Sequence, residues 1–125
     1  MIRAFTASDL PVLNAWLDAR SFDQLTPRDL PSLGFIVPNI AAGFLCQAET
    51  HTAFLEGFIT NPDALPVARN NALDVLVKRL ITTARDLDFT RILFLSRDAT
   101  IIRRAQLHGF TLCPDFTVGA MELKG

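Results

Sequence analysis

From residue 73 onward, apolar side chains recur as Leu73, Leu76, Val77, Leu80, Ile81 and Ala84. The spacing i, i+3, i+4, i+7, i+8, i+11 is the single stripe of a helix packed on one face. Just upstream, Phe54-Leu55-Glu56-Gly57-Phe58-Ile59-Thr60 reads as a strand, closed by the turn Asn61-Pro62-Asp63. Toward the N-terminus, residues 2–5 form a short strand. Ser8-Asp9 then starts a helix, with Pro11 early enough to be tolerated and Leu10, Leu13, Trp16 and Leu17 as its buried face. Residues 21–32 are polar, hold Pro27 and Pro31, and read as loop or short helical turns. Strands at 34–37 and 40–47 join at Pro38-Asn39, and Glu49-Thr50-His51 turns the chain into the strand at 54–60. After the long helix, Asp86-Leu87-Asp88 leads to a buried strand at 91–95. A second amphipathic helix at 98–108 stops at Gly109. Residues 111–113 and 117–123 read as two last strands, broken by Pro114-Asp115.

The order is therefore β-α-β-β-β-α-β-α-β-β. Three successive strands pair mainly as antiparallel hairpins, whereas the strand–helix–strand unit at 54–95 needs a parallel, right-handed crossover. The expected fold is α/β (α+β in the stricter sense): a mixed, mostly antiparallel sheet with helices on both faces. No repeat or linker divides it, so residues 1–125 read as a single domain.

Composition narrows the function more than the fold. Half of the 125 residues are apolar and ten are Phe, which fits a filled core. Twelve basic and thirteen acidic residues leave a net charge of −1, without the basic excess of a nucleic-acid binder. No run approaches membrane-spanning length, and Met1-Ile2-Arg3-Ala4-Phe5 lacks the apolar stretch of a leader. Cys46 and Cys113 lie far apart in apolar runs and read as reduced core thiols. The expectation is a cytoplasmic protein with no membrane or nucleic-acid partner. His51 and His108 have no second ligand type at useful spacing, so no metal site is expected.

The element order resembles the GNAT superfamily of acyl-CoA-dependent N-acyltransferases. Ile2-Arg3-Ala4-Phe5 followed by Ala7-Ser8-Asp9-Leu10-Pro11 is similar to the family's first strand and helix. Residues 55–62 are similar to its central strand with an Asx-Pro turn, and Gly109-Phe110 to the ending of its last helix. The resemblance implies acetyl-CoA, or another acyl-CoA, as cofactor, and an amine-bearing small molecule or protein as acceptor. A homodimer is the default assembly.

The family's glycine-rich phosphate motif is degraded here. Counted from Pro62, Ala68 and Asn70 stand where glycines are expected and Leu65 where the basic residue belongs. The alternative register, Arg69-x-x-Ala72-x-Asp74, recovers the cation but puts an acid near the phosphates. The usual tyrosine that protonates the departing thiolate is replaced by Ala105, and the chain has no Tyr at all.

On this resemblance, Glu56 is the candidate general base, with burial expected to raise its pKa; the alternative is a solvated strand carboxylate. The backbone of Phe58, Ile59 and Thr60 is the candidate pantetheine contact, or simply sheet. Ala68, Arg69, Asn70, Asn71 and Ala72 are candidates for the diphosphate, or else a polar loop with an Asn as helix cap. Asp98 stands where an Asn often contacts pantetheine, and it is also a good helix cap. Ser96 shares that second reading. Arg103 and Arg104 lie on the last helix, facing solvent or else meeting CoA phosphates or a protein partner. Two functions follow: an N-acyltransferase working by direct attack, or a catalytically inactive GNAT-fold module that acts through a protein partner, with residues 117–123 as a sheet edge open to pairing.

Overall fold

In the computed structural model, which describes residues 1–123, the alternating apolar positions divide between the two faces of one sheet. Its strands are β1 (Arg3–Ala4), β2 (Leu33–Val37), β3 (Ala41–Glu49), β4 (Thr52–Thr60) and β5 (Arg91–Leu93), in spatial order β1-β2-β3-β4-β5. The first three pairings are antiparallel, and β4 pairs with β5 in parallel. Helix α1 (Leu10–Asp18) covers one face, where Leu13 and Trp16 cluster with Ile36, Ala42, Phe44 and Ile59. Helix α2 (Pro66–Asp86) covers the other, where Ala72 and Leu76 pack with Ala41, Phe35, Val37 and Phe58. Neighbouring pairs such as Phe35/Ile36, Ala41/Ala42 and Phe58/Ile59 thus send one side chain to each helix, as the strand period of two requires. The crossover through α2 is what allows β4 and β5 to run parallel. Among the described residues, no helix is long and apolar enough to cross a membrane.

Two compact units divide the chain, Met1–Leu95 and a second that begins at Ser96. The second contains α3 (Ala99–Leu107), closed by Gly109 at φ +95°. The two strands expected at 111–113 and 117–123 do not form: the described residues there carry no strand and are exposed. Pro114 interrupts the run, and an alternating pattern becomes a strand only when a neighbouring ladder satisfies its amides. Cys113 is consequently exposed rather than a core thiol. Cys46 is half-buried, and both are free.

The N-terminus is fastened by one carboxylate. A 3₁₀ turn at Ala7–Asp9 leads into α1, and Asp9 is only 7% exposed. Its Oδ1 and Oδ2 accept from the Arg3 guanidinium at 2.7 and 2.8 Å, and Oδ2 accepts the Thr6 N–H at 2.9 Å. The Arg3 hydrogen bonds, followed by the Thr6 amide, outweigh desolvation and lower the Asp9 pKa from 3.8 to about 2. A lowered folded-state pKa contributes stability above the unfolded value, lost as pH falls through the folded one. The stabilisation is therefore complete above about pH 4 and gone below about pH 2. Asp9→Asn is expected to cost roughly 1–2 kcal/mol at neutral pH, discounted because Arg3 is half-exposed. Urea titrations between pH 5 and 2 should show the wild type converging on the variant. A constant gap would contradict the assignment.

A candidate cofactor groove along β4

The site is built from a glycine in mid-strand. Ala42 pairs with Ile59 and Phe44 with Glu56, so Gly43 faces two residues, Gly57 and Phe58. This is a β-bulge, and Gly57 sits at φ +67°, a conformation that side chains other than Gly adopt at a cost. Gly43 is equally constrained: a Cβ there would lie 2.6 Å from the Phe58 ring. The parallel ladder with β5 consists of Thr52↔Arg91, Ala53↔Ile92 and Phe54↔Leu93. β4 runs on from Leu55 to Thr60 with no β5 partner in that ladder. The bulge bends β4 as the parallel strand stops. Ile59 pairs with Ala42 and the Asn61 N–H bonds Ile40 O, so strand alternation leaves the Phe58 carbonyl and the Thr60 N–H and carbonyl on the edge away from β3, outside the β5 ladder.

Beyond this edge, the chain turns under tight control. The Asn61 N–H donates to Ile40 O at 2.8 Å, its Nδ2 donates to Asn39 O at 2.8 Å, and its Oδ1 accepts the Asp63 N–H at 2.9 Å. The turn is thus tied to the β2–β3 hairpin. α2 then starts at Pro66, earlier than its polar residues suggested. Proline at the first helical position supplies the required φ, and it forces the preceding Leu65 to be extended, as observed (ψ 143°). Asn70 and Asn71 therefore lie inside the helix; neither caps it. Arg69 N–H to Leu65 O, 3.0 Å, opens the helical hydrogen-bond ladder. The Val67 and Ala68 amides precede it, while Pro66 has no N–H to offer.

The candidate residues are distributed unevenly over these elements. Ala68 and Arg69 are half-buried in the first turns of α2, and Asn70 and Asn71 are exposed. Ala72 is 4% exposed and packs into the core beside Leu76 and Ala41. Glu56 is exposed on β4, directly opposite Phe44, hence on the α1 face. The expected burial of Glu56 is not found: Leu55 and Ile59 on the same stretch are buried, but Glu56 lies outside the cluster that α1 covers. Phe58 packs toward α2 and Ile59 toward α1, and of their backbone groups the Phe58 carbonyl faces the edge away from β3 while Ile59 is paired with Ala42. Asp98 lies in the second unit as the N-cap of α3, its Oδ1 accepting the Thr100 and Ile101 amides at 2.8 and 3.1 Å. That is the capping reading. His108 closes the same helix through its own N–H.

One residue at this groove escaped the sequence. Arg20, just past α1, donates from Nη1 to Thr60 O and from Nη2 to Thr60 Oγ1, the latter at 2.8 Å. Forty residues separate the partners, so no local pattern announces the contact. The only local signal is the helix end itself, where Ser21 takes φ 59° and its N–H bonds to Asp18 O.

No protein-family model and no curated protein matches the sequence. Solved structures do match it in shape. A structure described as a "probable acetyltransferase" superposes with TM-score 0.77 at 13% identity, covering 100% of this chain and 99% of the other. The Mycobacterium tuberculosis protein Rv2747 in complex with CoA gives TM-score 0.73 at 20% identity, covering 96% of this chain and 76% of that one. A GNAT-family acetyltransferase from Streptococcus pneumoniae gives 0.68 at 11% identity, covering 100% and 97%. At these identities the likeness shows architecture alone: the chain has the GNAT fold, a mixed, mostly antiparallel sheet flanked by helices.

Proposed function

We propose that this chain is an acyl-CoA-dependent N-acyltransferase that acetylates an amine by direct attack. The observation that carries the reading is the bulged β4, whose residues 55–60 outrun the β5 ladder and leave a backbone edge beside the start of α2. Bound acetyl-CoA would supply the activated thioester. Of the candidate strand residues Phe58, Ile59 and Thr60, the Phe58 carbonyl and the Thr60 N–H would hold the pantetheine arm, since Ile59 pairs with Ala42 and the Thr60 carbonyl accepts from Arg20. The Val67 and Ala68 amides, with the Arg69 guanidinium, would face the diphosphate, where the helix N-terminus favours negative charge. Glu56, exposed on the same strand, would accept the proton of the incoming ammonium, directly or through one water. With no Tyr in the chain, solvent is the proton source for the departing thiolate.

Calorimetric titration with acetyl-CoA tests this reading. Micromolar affinity is expected, and the double variant Arg69→Ala, Asn70→Asp should weaken it at least about tenfold, since a charge-assisted contact is replaced by a repulsive carboxylate. Absence of heat and of thermal shift at millimolar acetyl-CoA would reject the reading.

A second reading, a binding module without acyl transfer, is favoured by one observation. Where the family places a glycine loop, this chain has Pro66 flanked by Leu65 and Val67, 69% and 64% exposed. Those side chains offer apolar contact to a protein partner. The partner edge once expected at residues 117–123 has no strand to support it.

A further inference from the structure

Arg20 has a position that simple packing does not require. Thr60 pairs with Ala41, so its side chain lies on the α2 face, whereas Arg20 arrives from the end of α1 on the opposite face. The Asn61 N–H bonds Ile40 O on the β3 side, so the Thr60 carbonyl of the same peptide, which Arg20 reaches, points to the opposite edge of β4. β3 occupies one edge. The guanidinium therefore sits at the other, the edge that β5 has left open. Two of its five N–H donors are spent on Thr60, leaving three. Arg20 is half-buried and makes no ion pair among the described residues, where the carboxylate pairs are Arg3–Asp9 and Arg91–Glu49. Arg69, half-buried in the first turns of α2, also lacks a carboxylate partner among the described residues. Two guanidinium groups without a carboxylate partner among the described residues thus belong to the residue that grips the end of β4 and to the first turns of α2, in a protein whose net charge is −1.

We infer that Arg20 binds an oxyanion of the ligand lying along β4, namely the diphosphate of the acyl-CoA. It supplies, from α1, the cation that Leu65 does not provide at the phosphate loop. The inference rests on the acyltransferase reading. The chemistry fits: with one hydrogen of each Nη spent on Thr60, the Nε–H and the remaining Nη hydrogens can still meet phosphate oxygens, and Thr60 holds the group in place so that little side-chain freedom is lost on binding. The position fits as well. Thr60 is the last residue of β4, between the bulge and α2, so a ligand extended along the edge reaches Arg20 before it reaches the helix.

The test compares acetyl-CoA with acetyl-pantetheine, which lacks the phosphates, by calorimetry on wild type, Arg20→Gln and Arg20→Lys. Wild type should prefer acetyl-CoA at least about tenfold. Arg20→Gln should abolish most of that preference while changing acetyl-pantetheine affinity less than about twofold. Arg20→Lys, which keeps the charge without the fork, should retain part of it. If Arg20→Gln weakens both ligands equally, Arg20 merely holds β4 and the inference falls; it also falls if neither ligand changes. If neither acyl ligand binds the wild type, the acyltransferase reading falls, and inorganic pyrophosphate decides about Arg20 alone. A pyrophosphate-induced shift of the Arg20 side-chain nitrogen resonance retains the anion site, and its absence removes it. A shift with succinate but not with pyrophosphate assigns the oxyanion to a carboxylate acceptor and overturns the diphosphate assignment.

Discussion

Phe44→Ala is expected to lower stability by about 3–5 kcal/mol, at the upper end for a core truncation, and to leave little folded protein at 37 °C. Phe44 is fully buried and meets Phe5 edge to face, centroids 5.0 Å apart at 70°. Its ring also lies over two glycines. A Cβ on Gly34, its direct partner across β2–β3, would come within 2.2 Å of Phe44 Cδ1, and one on Gly57 within 2.9 Å of Cδ2. The ring therefore supplies, for three strands at once, the side-chain volume that two of them lack. When it is removed, neither glycine has atoms that can move into the gap, so the cavity cannot collapse, and the cost rises with residual cavity volume. Phe44→Leu should cost far less, because most of the volume survives. Denaturant midpoints for the two variants, with unchanged slopes, check the argument. A loss near 1 kcal/mol for the alanine variant would mean that α1 closes onto the sheet.

The same trio shows what the sequence could and could not reveal. The order of the first eight elements was legible because each has a clear period, two for β2–β4 and 3.6 for α1 and α2. The pairing of Phe44 with Gly34 and Gly57 was not, because it depends on register, and a single-residue shift would send Phe44 to the other face. The start of α2 was written in the chain at Pro66, yet Asn70 and Asn71 look more like caps. A proline at the first helical position settled the matter through backbone geometry alone. The last two strands failed for the opposite reason. Residues 117–123 hold enough apolar side chains to suit a strand, but composition states only that a segment would suit a ladder, never that a partner is in place. At the site, Glu56 was visible as a lone acid among apolar neighbours, whereas its exposure depends on how far α1 covers that face of the sheet. Arg20 was invisible, since its role exists only once α1 and the end of β4 have been brought together.

Gly57→Ala should both destabilise the fold and damage the groove. At φ +67° an alanine costs about 1–2 kcal/mol. Its Cβ, 2.9 Å from the Phe44 ring, adds to this because that ring is locked between Gly34 and Phe5. A total of about 2–3 kcal/mol is expected. Gly109→Ala provides the control, with φ +95° and nothing within 4 Å of the added carbon, so that it reports backbone strain without a clash. Gly57→Asn separates the two terms further, because Asn tolerates left-handed angles while adding the same Cβ. If the clash dominates, Asn and Ala should destabilise alike; if strain dominates, Asn should recover about half the loss. The functional consequence follows from how the strain is relieved. The cheapest escape is to distort the bulge locally, since one-to-one pairing would exchange the faces of Phe58 and Ile59; the distortion displaces the Gly57–Phe58 backbone at the edge. On the acyltransferase reading, the backbone edge that holds pantetheine then turns away. Acetyl-CoA affinity should fall at least about tenfold under conditions where Gly57→Ala remains folded. Undiminished affinity in folded Gly57→Ala would show that the bulge is a structural accommodation of Phe44 and that the cofactor, if bound, is held elsewhere.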